Sequence, residues 1–479
     1  MEHCLDEYIA KHHLRVVADP SKGQKTIATR ALARGELLAI RPLCALPTRP
    51  GETEDSASAA VEPAVRCSHC FHRLPPRHPR CGRCHTNYCS SMCLSRAWAA
   101  RHHFECPEAD PVAAAIKPVF RASLRMAARV SKVLETASAR PRWLRVQIAA
   151  WARLVGHREK HPKYVLNQYS EIASALANTG LTEDELVTML CRFGCNNFAS
   201  HDDQNMHIVG HLCSPLVSLL FNHSCFPNAT FVYVDGKQSV RLLHDVCEGE
   251  EITLAYIDGL SPRDNRQKLL KDVYFFSCTC IKCTGVSARG QIDSMLSTPC
   301  SGLPKCLPTD YAQRLEIDQW VEQIVTKAME LVVRGSVAED IGQFVLDSIG
   351  SAVPEDVSFA AYKHWLECQD ECLERVSGGD DVWGWANLSS LYVLAFYIMA
   401  YPLHHPMVGR QCLEAAKIAW NCSVSGSKGP LCERPFIEGL ALVARSIFEV
   451  SANLDDSSVD SPLSLRQQID QLLGQLSVK

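Results

Sequence analysis

The segment Asn222-His223-Ser224-Cys225-Phe226-Pro227-Asn228 carries the strongest fold signal in this 479-residue chain. Tyr256 follows 28 residues after Asn228, at the end of the segment 250–256. The cluster Cys278-x-Cys280-x2-Cys283 comes shortly afterwards. Three clustered cysteines need a fourth ligand to complete a tetrahedral zinc site, and Cys225 is the natural distant candidate. The pattern therefore predicts a closed, structural zinc site that ties residue 225 to residues 278–283.

A second group of cysteines and histidines occupies residues 67–106. Its members are spaced as four pairs: Cys67-x2-Cys70, Cys81-x2-Cys84, Cys89-x3-Cys93 and His102-x3-Cys106. Eight thiol and imidazole ligands make two tetrahedral zinc sites. His103 is an alternative to His102, although the x3 spacing favours His102. So short a segment has little apolar surface, so we expect the metal to supply its folding free energy.

The spacing of residues 67–106 resembles the MYND zinc finger, in which the ligand pairs interleave. This resemblance implies one ion bound by Cys67, Cys70, Cys89 and Cys93, and another bound by Cys81, Cys84, His102 and Cys106. The segment 222–228, the spaced tyrosine and the later cysteine cluster resemble a SET domain with its post-SET segment. Together, the layout is similar to the SMYD family of protein lysine methyltransferases.

The resemblance implies an α+β multidomain fold. The expected parts are a β-rich SET fold with a pseudoknot, an inserted double-zinc MYND finger, a post-SET zinc site and a C-terminal α-helical, TPR-like domain. The segment 403–411 is similar to a helical stretch of that last domain in the family. We expect the N-terminal part of the SET domain in 1–60, the finger in 67–106, a helical insert and the SET core in 107–258, the post-SET segment in 259–285 and the helical domain in 311–479.

The resemblance also implies methyl transfer from S-adenosylmethionine to the ε-amine of lysine on histone or non-histone proteins. Tyr256 matches the catalytic tyrosine, whose hydroxyl would orient the amine. With Tyr256, Tyr274 and Phe276 match the aromatic positions of the substrate lysine channel. An aromatic-lined channel desolvates an incoming lysine and lowers its pKa, which favours the free amine needed for attack.

The residues implied to meet the cofactor come from five places in the chain. They are Lys22, Gln24, Asn196, Asn222, His223, Tyr256 and Phe276. Lys25 stands where the family usually has a second glycine, and a residue with a Cβ disfavours positive φ. Three structural zinc ions complete the expected cofactors. Because of Lys25, an alternative function stays open, in which the finger and helical lobe form an interaction scaffold around a weak or inactive SET core.

Composition excludes several other classes of protein. A hydrophobic fraction of 47% and a charged fraction of 21% are those of a packed protein. The longest apolar run, 391–401, is shorter than the roughly 20 residues of a membrane helix, and the N-terminus lacks a signal-peptide pattern. Twenty-four cysteines without such a signal favour metal ligation over disulfides. We expect a monomer that works in the cytoplasm and nucleus, away from membranes.

Charge is distributed unevenly along the chain. The net charge is −4, whereas residues 311–479 hold 12 Lys and Arg against 23 Asp and Glu. This acidic region favours a lysine-rich protein substrate. Residues 66–103 hold seven arginines and neither lysine nor acid, but zinc-bound thiolates offset much of that charge. Three interpretations of the finger stay open: peptide docking, nucleic-acid binding and simple packing on a neighbouring domain.

Overall fold

The structure is a computed structural model, and its description is confined to part of the chain. The described residues are 2–47, 66–72, 74–102, 106, 126–127, 130, 133–134, 141–174, 182–201, 208–299, 316–335, 341–350, 354–452 and 463–478. The expected linker at 48–63 and the alternative ligand His103 lie outside them. Within the described ranges, no helix is long and apolar enough to cross a membrane.

The N-terminal half of the chain contains the strands. They are β1 (Leu14–Asp19), β2 (Gly23–Ala28), β3 (Gly35–Ile40), β4 (Cys44–Pro47), β5 (Asn197–His201), β6 (Ile208–Cys213), β7 (Asn222–His223), β8 (Ala229–Val234), β9 (Lys237–Leu242) and β10 (Thr253–Leu254). β1 and β2 form a hairpin, and the two three-stranded sheets have the orders β3-β9-β8 and β4-β6-β5. β7 pairs in parallel with β10, with Asn222 opposite Thr253. This pairing brings the segment 222–228 beside the strand that leads to Tyr256.

Helices surround these sheets. In the first part of the chain they are α1 (Glu2–Lys11), α2 (Ser91–Ala97), α3 (Arg142–Arg153), α4 (Lys163–Ser174), α5 (Glu183–Asn196), α6 (Pro215–Leu220), α7 (Arg263–Tyr274) and α8 (Ala288–Leu296). A capping box opens α5: the Thr182 hydroxyl oxygen accepts from the Glu185 N–H, and the Glu185 carboxylate accepts from the Thr182 N–H. The chain arrives at α7 in an extended conformation, with Pro262 as the N-cap residue. The order Ser261-Pro262 in the sequence predicts a serine cap followed by a first-turn proline, but Pro262 is itself the N-cap residue and no side chain caps the helix.

The C-terminal region is helical, as predicted. It comprises α9 (Gln319–Arg334), α10 (Gly342–Ile349), α11 (Phe359–Ser377), α12 (Trp383–Ala400), α13 (Pro406–Ser425), α14 (Arg434–Ser451) and α15 (Leu465–Val478). α12 is buried on nearly every side, and the apolar run 391–401 lies mostly within it. α14 packs against β3, β8 and β9. The helical lobe thus forms a second hydrophobic core that closes against one face of the SET sheets.

Candidate functional site

The finger brings together two groups of four ligand side chains. Within each group, the ligand atoms all lie within 4.8 Å of one another, and the members are Cys67, Cys70, Cys89 and Cys93 in one group and Cys81, Cys84, His102 and Cys106 in the other. Their sulfurs are 3.4 to 3.9 Å apart, as for Cys89 and Cys93 at 3.4 Å. A tetrahedral zinc site with Zn–S bonds of about 2.3 Å places its sulfurs about 3.8 Å apart. Both groups therefore have the spacing and donor chemistry of closed zinc sites.

The third group joins the segment 222–228 to the post-SET segment. Cys225, Cys278, Cys280 and Cys283 converge in the same way, with the Cys225 sulfur 3.5 Å from that of Cys283. Arg266 lies beside this group, with its Nη2 3.6 Å from the Cys283 sulfur, and it also forms a buried bidentate ion pair with Asp293. Zinc held by four thiolates carries a net negative charge, so a buried guanidinium stabilises it.

His223 links this metal group to Tyr256. The Tyr256 backbone N–H donates to His223 Nδ1 at 3.0 Å, which leaves Nε2 as the protonated nitrogen. Nε2 lies 3.2 Å from the Cys225 sulfur and can donate to it. His223 is buried, so its side chain supports the site through these two contacts.

The three residues predicted for the lysine channel form an aromatic cluster. The ring centroids of Tyr256 and Tyr274 are 5.1 Å apart, and the rings of Tyr256 and Phe276 are 5.4 and 6.0 Å from the His223 ring. The Tyr256 hydroxyl donates to the Phe221 carbonyl at 2.6 Å. Burial raises the pKa of Tyr256 and raises that of Tyr274 to about 12. Both phenols are therefore neutral at physiological pH.

A cavity of about 590 Å³ opens beside this cluster. Its wall combines Tyr256 and Tyr274 with residues from three other parts of the chain: Arg66, Phe71 and His72 of the finger region, the β5 residues 197–201, and Tyr397, Tyr401, Met407, Arg410 and Phe448 of the helical lobe. A protein segment bound in this cavity would therefore contact the SET sheets, the finger and the lobe together.

Asn196 and its neighbour Asn197 both line this cavity. The Asn196 amide nitrogen donates to the carbonyls of Val155 and Arg192, which fixes the end of α5. The Asn197 Oδ1 is buried without a hydrogen-bond partner among the described residues. An unpaired buried acceptor in a cavity wall is costly unless a ligand donates to it. The family resemblance implies Asn196 as a cofactor residue, whereas Asn197 has no distinguishing pattern in the sequence because it is a second asparagine in the same turn.

Lys22, Gln24 and Asn222 form a hydrogen-bonded group on the other side of β7. The Asn222 amide donates to the Gln24 carbonyl at 2.7 Å and to Glu251 Oε1 at 2.9 Å. The Lys22 ammonium is 2.6 Å from Glu251 Oε2, and the Gln24 amide donates to the Leu219 carbonyl. Glu251, absent from the predicted set, thus holds two of the predicted cofactor residues together.

Lys25 does not require the positive φ that a glycine would supply. It lies within β2 opposite Val17, and its ammonium is 3.2 Å from Asp19 Oδ2. Gly23 instead carries the positive φ of this loop, at +79°. A Cβ added to Gly23 would meet nothing within 4 Å. The loop therefore keeps one glycine in the conformation that needs it, and Lys25 extends a regular strand.

Known proteins share the sequence features of this architecture. The SET domain family profile matches residues 23–257, about half of the chain. Human (Homo sapiens) N-lysine methyltransferase SMYD2 is 30% identical over 274 residues, covering 55% of this chain and 59% of that protein. The zebrafish (Danio rerio) N-lysine methyltransferase SMYD2-B is 29% identical over 279 residues, covering 56% and 59%. The shared segment therefore spans somewhat more than half of these relatives.

A third relative extends the similarity into the helical lobe. Histone-lysine N-methyltransferase ASHR1 of Arabidopsis thaliana is 22% identical over 445 residues, covering 87% of this chain and 88% of that protein. With the SET match, the finger groups and the helical lobe, the chain is similar in sequence and layout to these SMYD-type methyltransferases.

Proposed function

We propose that this protein is a protein-lysine N-methyltransferase that uses S-adenosylmethionine. The observation that carries the proposal is the neutral Tyr256 hydroxyl, fixed by the Phe221 carbonyl in the aromatic wall of a cavity large enough for a peptide side chain. The relatives named above are lysine methyltransferases by name. The reaction needs alignment of a neutral amine, which this wall can provide.

Bound S-adenosylmethionine would supply an electrophilic methyl group on sulfur. The residues proposed to hold it are Asn196, the backbone and amide of the Asn222–His223 pair, the loop 22–24 and Phe276. The open space above Gly23 leaves room for a ligand beside the loop 22–24.

The chain's own residues prepare the substrate amine. The rings of Tyr256 and Tyr274 exclude water from an entering lysine, which favours its neutral form because burial penalises the ammonium. The Tyr256 hydroxyl is oriented, and its raised pKa keeps it protonated. It therefore acts as a fixed polar contact for the amine and the methyl group rather than as a strong base.

The acidic lobe favours a lysine-rich substrate. The −11 balance of residues 311–479 would attract a basic segment toward a cavity that this lobe helps to line. The rate on a lysine-rich peptide should then fall as salt rises from about 0.05 to 0.5 M, because screening weakens steering. A rate that does not respond to salt would contradict this part of the proposal.

The zinc groups need reduced thiols, so we propose that the protein works in the cytoplasm and nucleus.

Labelled S-adenosylmethionine and a cell extract test the proposed activity. Wild type should label extract proteins, Tyr256→Phe should reduce labelling at least ~10-fold, and the exposed-site control Tyr164→Phe should match wild type. Cofactor binding is measured separately by calorimetry. Absence of cofactor binding in every variant would overturn the enzyme proposal and favour the scaffold alternative, whereas binding with equal labelling in all three would overturn the role of Tyr256.

A further inference from the structure

Two cysteines of the helical lobe lie together, away from the three zinc groups. Cys422 is in the last turn of α13 and Cys432 precedes α14, so nine residues of chain lie between them. Cys422 Sγ donates to the Ser427 carbonyl and Cys432 Sγ donates to the Pro430 carbonyl, both at 3.6 Å. The pair is reduced in the structure. A turn thus returns the chain so that two sulfurs from consecutive helices meet.

The backbone between the two helices is shaped around this pair. A Cβ added to Gly429 would lie 2.8 Å from the Cys422 sulfur and 3.1 Å from the Cys432 sulfur, closer than real Cβ contacts allow. The Asn387 amide of α12 donates to the Cys432 sulfur at 3.3 Å and to the Pro430 carbonyl. A glycine and a buried asparagine therefore fix both sulfurs.

Solvent reaches the pair from one side. Cys432 is partly exposed, whereas Cys422 is buried, and residues 423–426 of the adjoining turn are exposed. Attack on a dissolved oxidant needs an accessible thiol, and closure of a disulfide needs a second thiol in contact with it. Cys432 is the accessible thiol, and Cys422 is the second thiol beside it.

We propose that Cys422 and Cys432 are a reversible redox-modification site that a hydroperoxide converts to a disulfide. The Cys432 sulfur attacks the outer peroxide oxygen, the O–O bond breaks, the thiol proton passes to the departing oxygen, and water or an alcohol leaves with Cys432 as the sulfenic acid. The Cys422 sulfur then attacks the Cys432 sulfur, and the hydroxyl of the sulfenic acid leaves as water. The two thiols lose two electrons and the peroxide gains them.

Two other cysteine pairs among the described residues differ from this one. Cys368 and Cys372 lie one turn apart within α11, where the helical backbone holds their side chains in parallel. Cys44 and Cys213 face each other across β4 and β6 but are 0% and 1% exposed in the core. These pairs serve as internal controls, because general oxidation would not distinguish them from the proposed site.

Oxidation would join the end of α13 to the start of α14. The first turn of α13 places Met407 and Arg410 in the cavity wall, and the last turns of α14 place Phe448 and Ser451 there. A covalent link between these helices removes relative motion of two walls of the cavity. It should also raise the thermal midpoint by roughly 2–4 °C, because the closed loop lowers the entropy of the unfolded chain.

The test uses the zinc-loaded full chain and a graded series of hydrogen peroxide. Non-reducing peptide mapping should show a 422–432 linkage and an intact mass lower by two hydrogens, both reversed by dithiothreitol. Cys422→Ser should abolish the linkage and leave a sulfenic acid at Cys432 that dimedone labels. Gly429→Ala, which displaces both sulfurs, should reduce the linked fraction several-fold.

A chromophoric chelator reports zinc release in the same reactions. Linkage at a lower peroxide dose than zinc release supports the site. Three results would overturn it. They are linkage only after zinc release, equal oxidation of the 368–372 and 44–213 pairs, and a linkage that survives in Cys422→Ser.

Discussion

The Lys282 ammonium donates to the carbonyl of Ala400, the last residue of α12, at 2.9 Å. The same ammonium donates to the Gly259 carbonyl at 2.6 Å, and the Arg289 guanidinium donates to the carbonyls of Ile398 and Met399. The carbonyls at a helix C-terminus lack intrahelical partners and carry partial negative charge. Two cations from the post-SET side of the molecule therefore complete the end of the most buried helix of the lobe.

Lys282→Met should weaken the attachment of the lobe to the SET half. Burial lowers the pKa of Lys282 to about 8, so the ammonium is charged at neutral pH and its loss leaves two buried carbonyls without donors. We expect the free energy of unfolding to fall by about 2–4 kcal/mol, measured by denaturant titration of the zinc-loaded protein. Lys271→Met, at an exposed position of α7, is the matched control. Equal stability of the two variants would show that the lysine is not required at this helix end.

Cys280→Ser should remove one zinc ion and leave the finger intact. The three ligand groups share no residue, so bound zinc should fall from three ions to two per chain when measured by inductively coupled plasma mass spectrometry. The exposed Cys247 is the control, and Cys247→Ser should retain three. Because His223 joins Cys225 to the Tyr256 backbone, methylation should fall in Cys280→Ser alone. Retention of three zincs in Cys280→Ser would contradict the grouping.

Glu251→Gln should weaken cofactor binding more than stability. Glu251 holds Lys22 and Asn222 through two separate oxygens, and the amide loses the ion pair and one of the acceptors. Partial exposure limits each contact to about 1 kcal/mol, so we expect about a five-fold rise in the cofactor Kd by calorimetry. Glu248→Gln is the exposed control. An unchanged Kd in Glu251→Gln would mean that the loop and β7 are positioned without this carboxylate.

Short-range patterns carried most of what the sequence could predict. Zinc ligands are set by fixed spacing, and the tyrosine, the segment 222–228 and the cysteine cluster are close enough along the chain to form one motif. Contacts between distant segments could not be predicted in the same way. Lys282 contacts Ala400, which is 118 residues away along the chain. In the sequence, Lys282 stands between two cysteines of the cluster 278–283, and a lysine there is typical of a surface residue. Lys25 was expected to disturb its loop, whereas strand pairing places it in a regular conformation.

His404 provides a pH-dependent contact between the lobe and the SET half. The Arg34 guanidinium, just before β3, donates to His404 Nε2 at 3.0 Å, which requires that nitrogen to be unprotonated. His404 is 4% exposed. Burial, then the charge of Arg34, then that of His244 lower the pKa of His404 to about 4. The folded state thus binds this proton more weakly than the unfolded chain, whose histidine pKa is about 6.5.

A histidine whose folded pKa is lowered contributes stability that is fully present above the unfolded pKa and is lost as pH falls toward the folded pKa. Between pH 7.5 and 5, wild type should therefore lose about 2 kcal/mol of unfolding free energy that His404→Gln does not lose. Denaturant titrations of both proteins at each pH measure this difference, since zinc loss at low pH affects them alike. His3→Gln, whose histidine is exposed, should follow wild type. Parallel pH profiles for wild type and His404→Gln would show that this histidine titrates normally and that Arg34 does not depend on its neutral form.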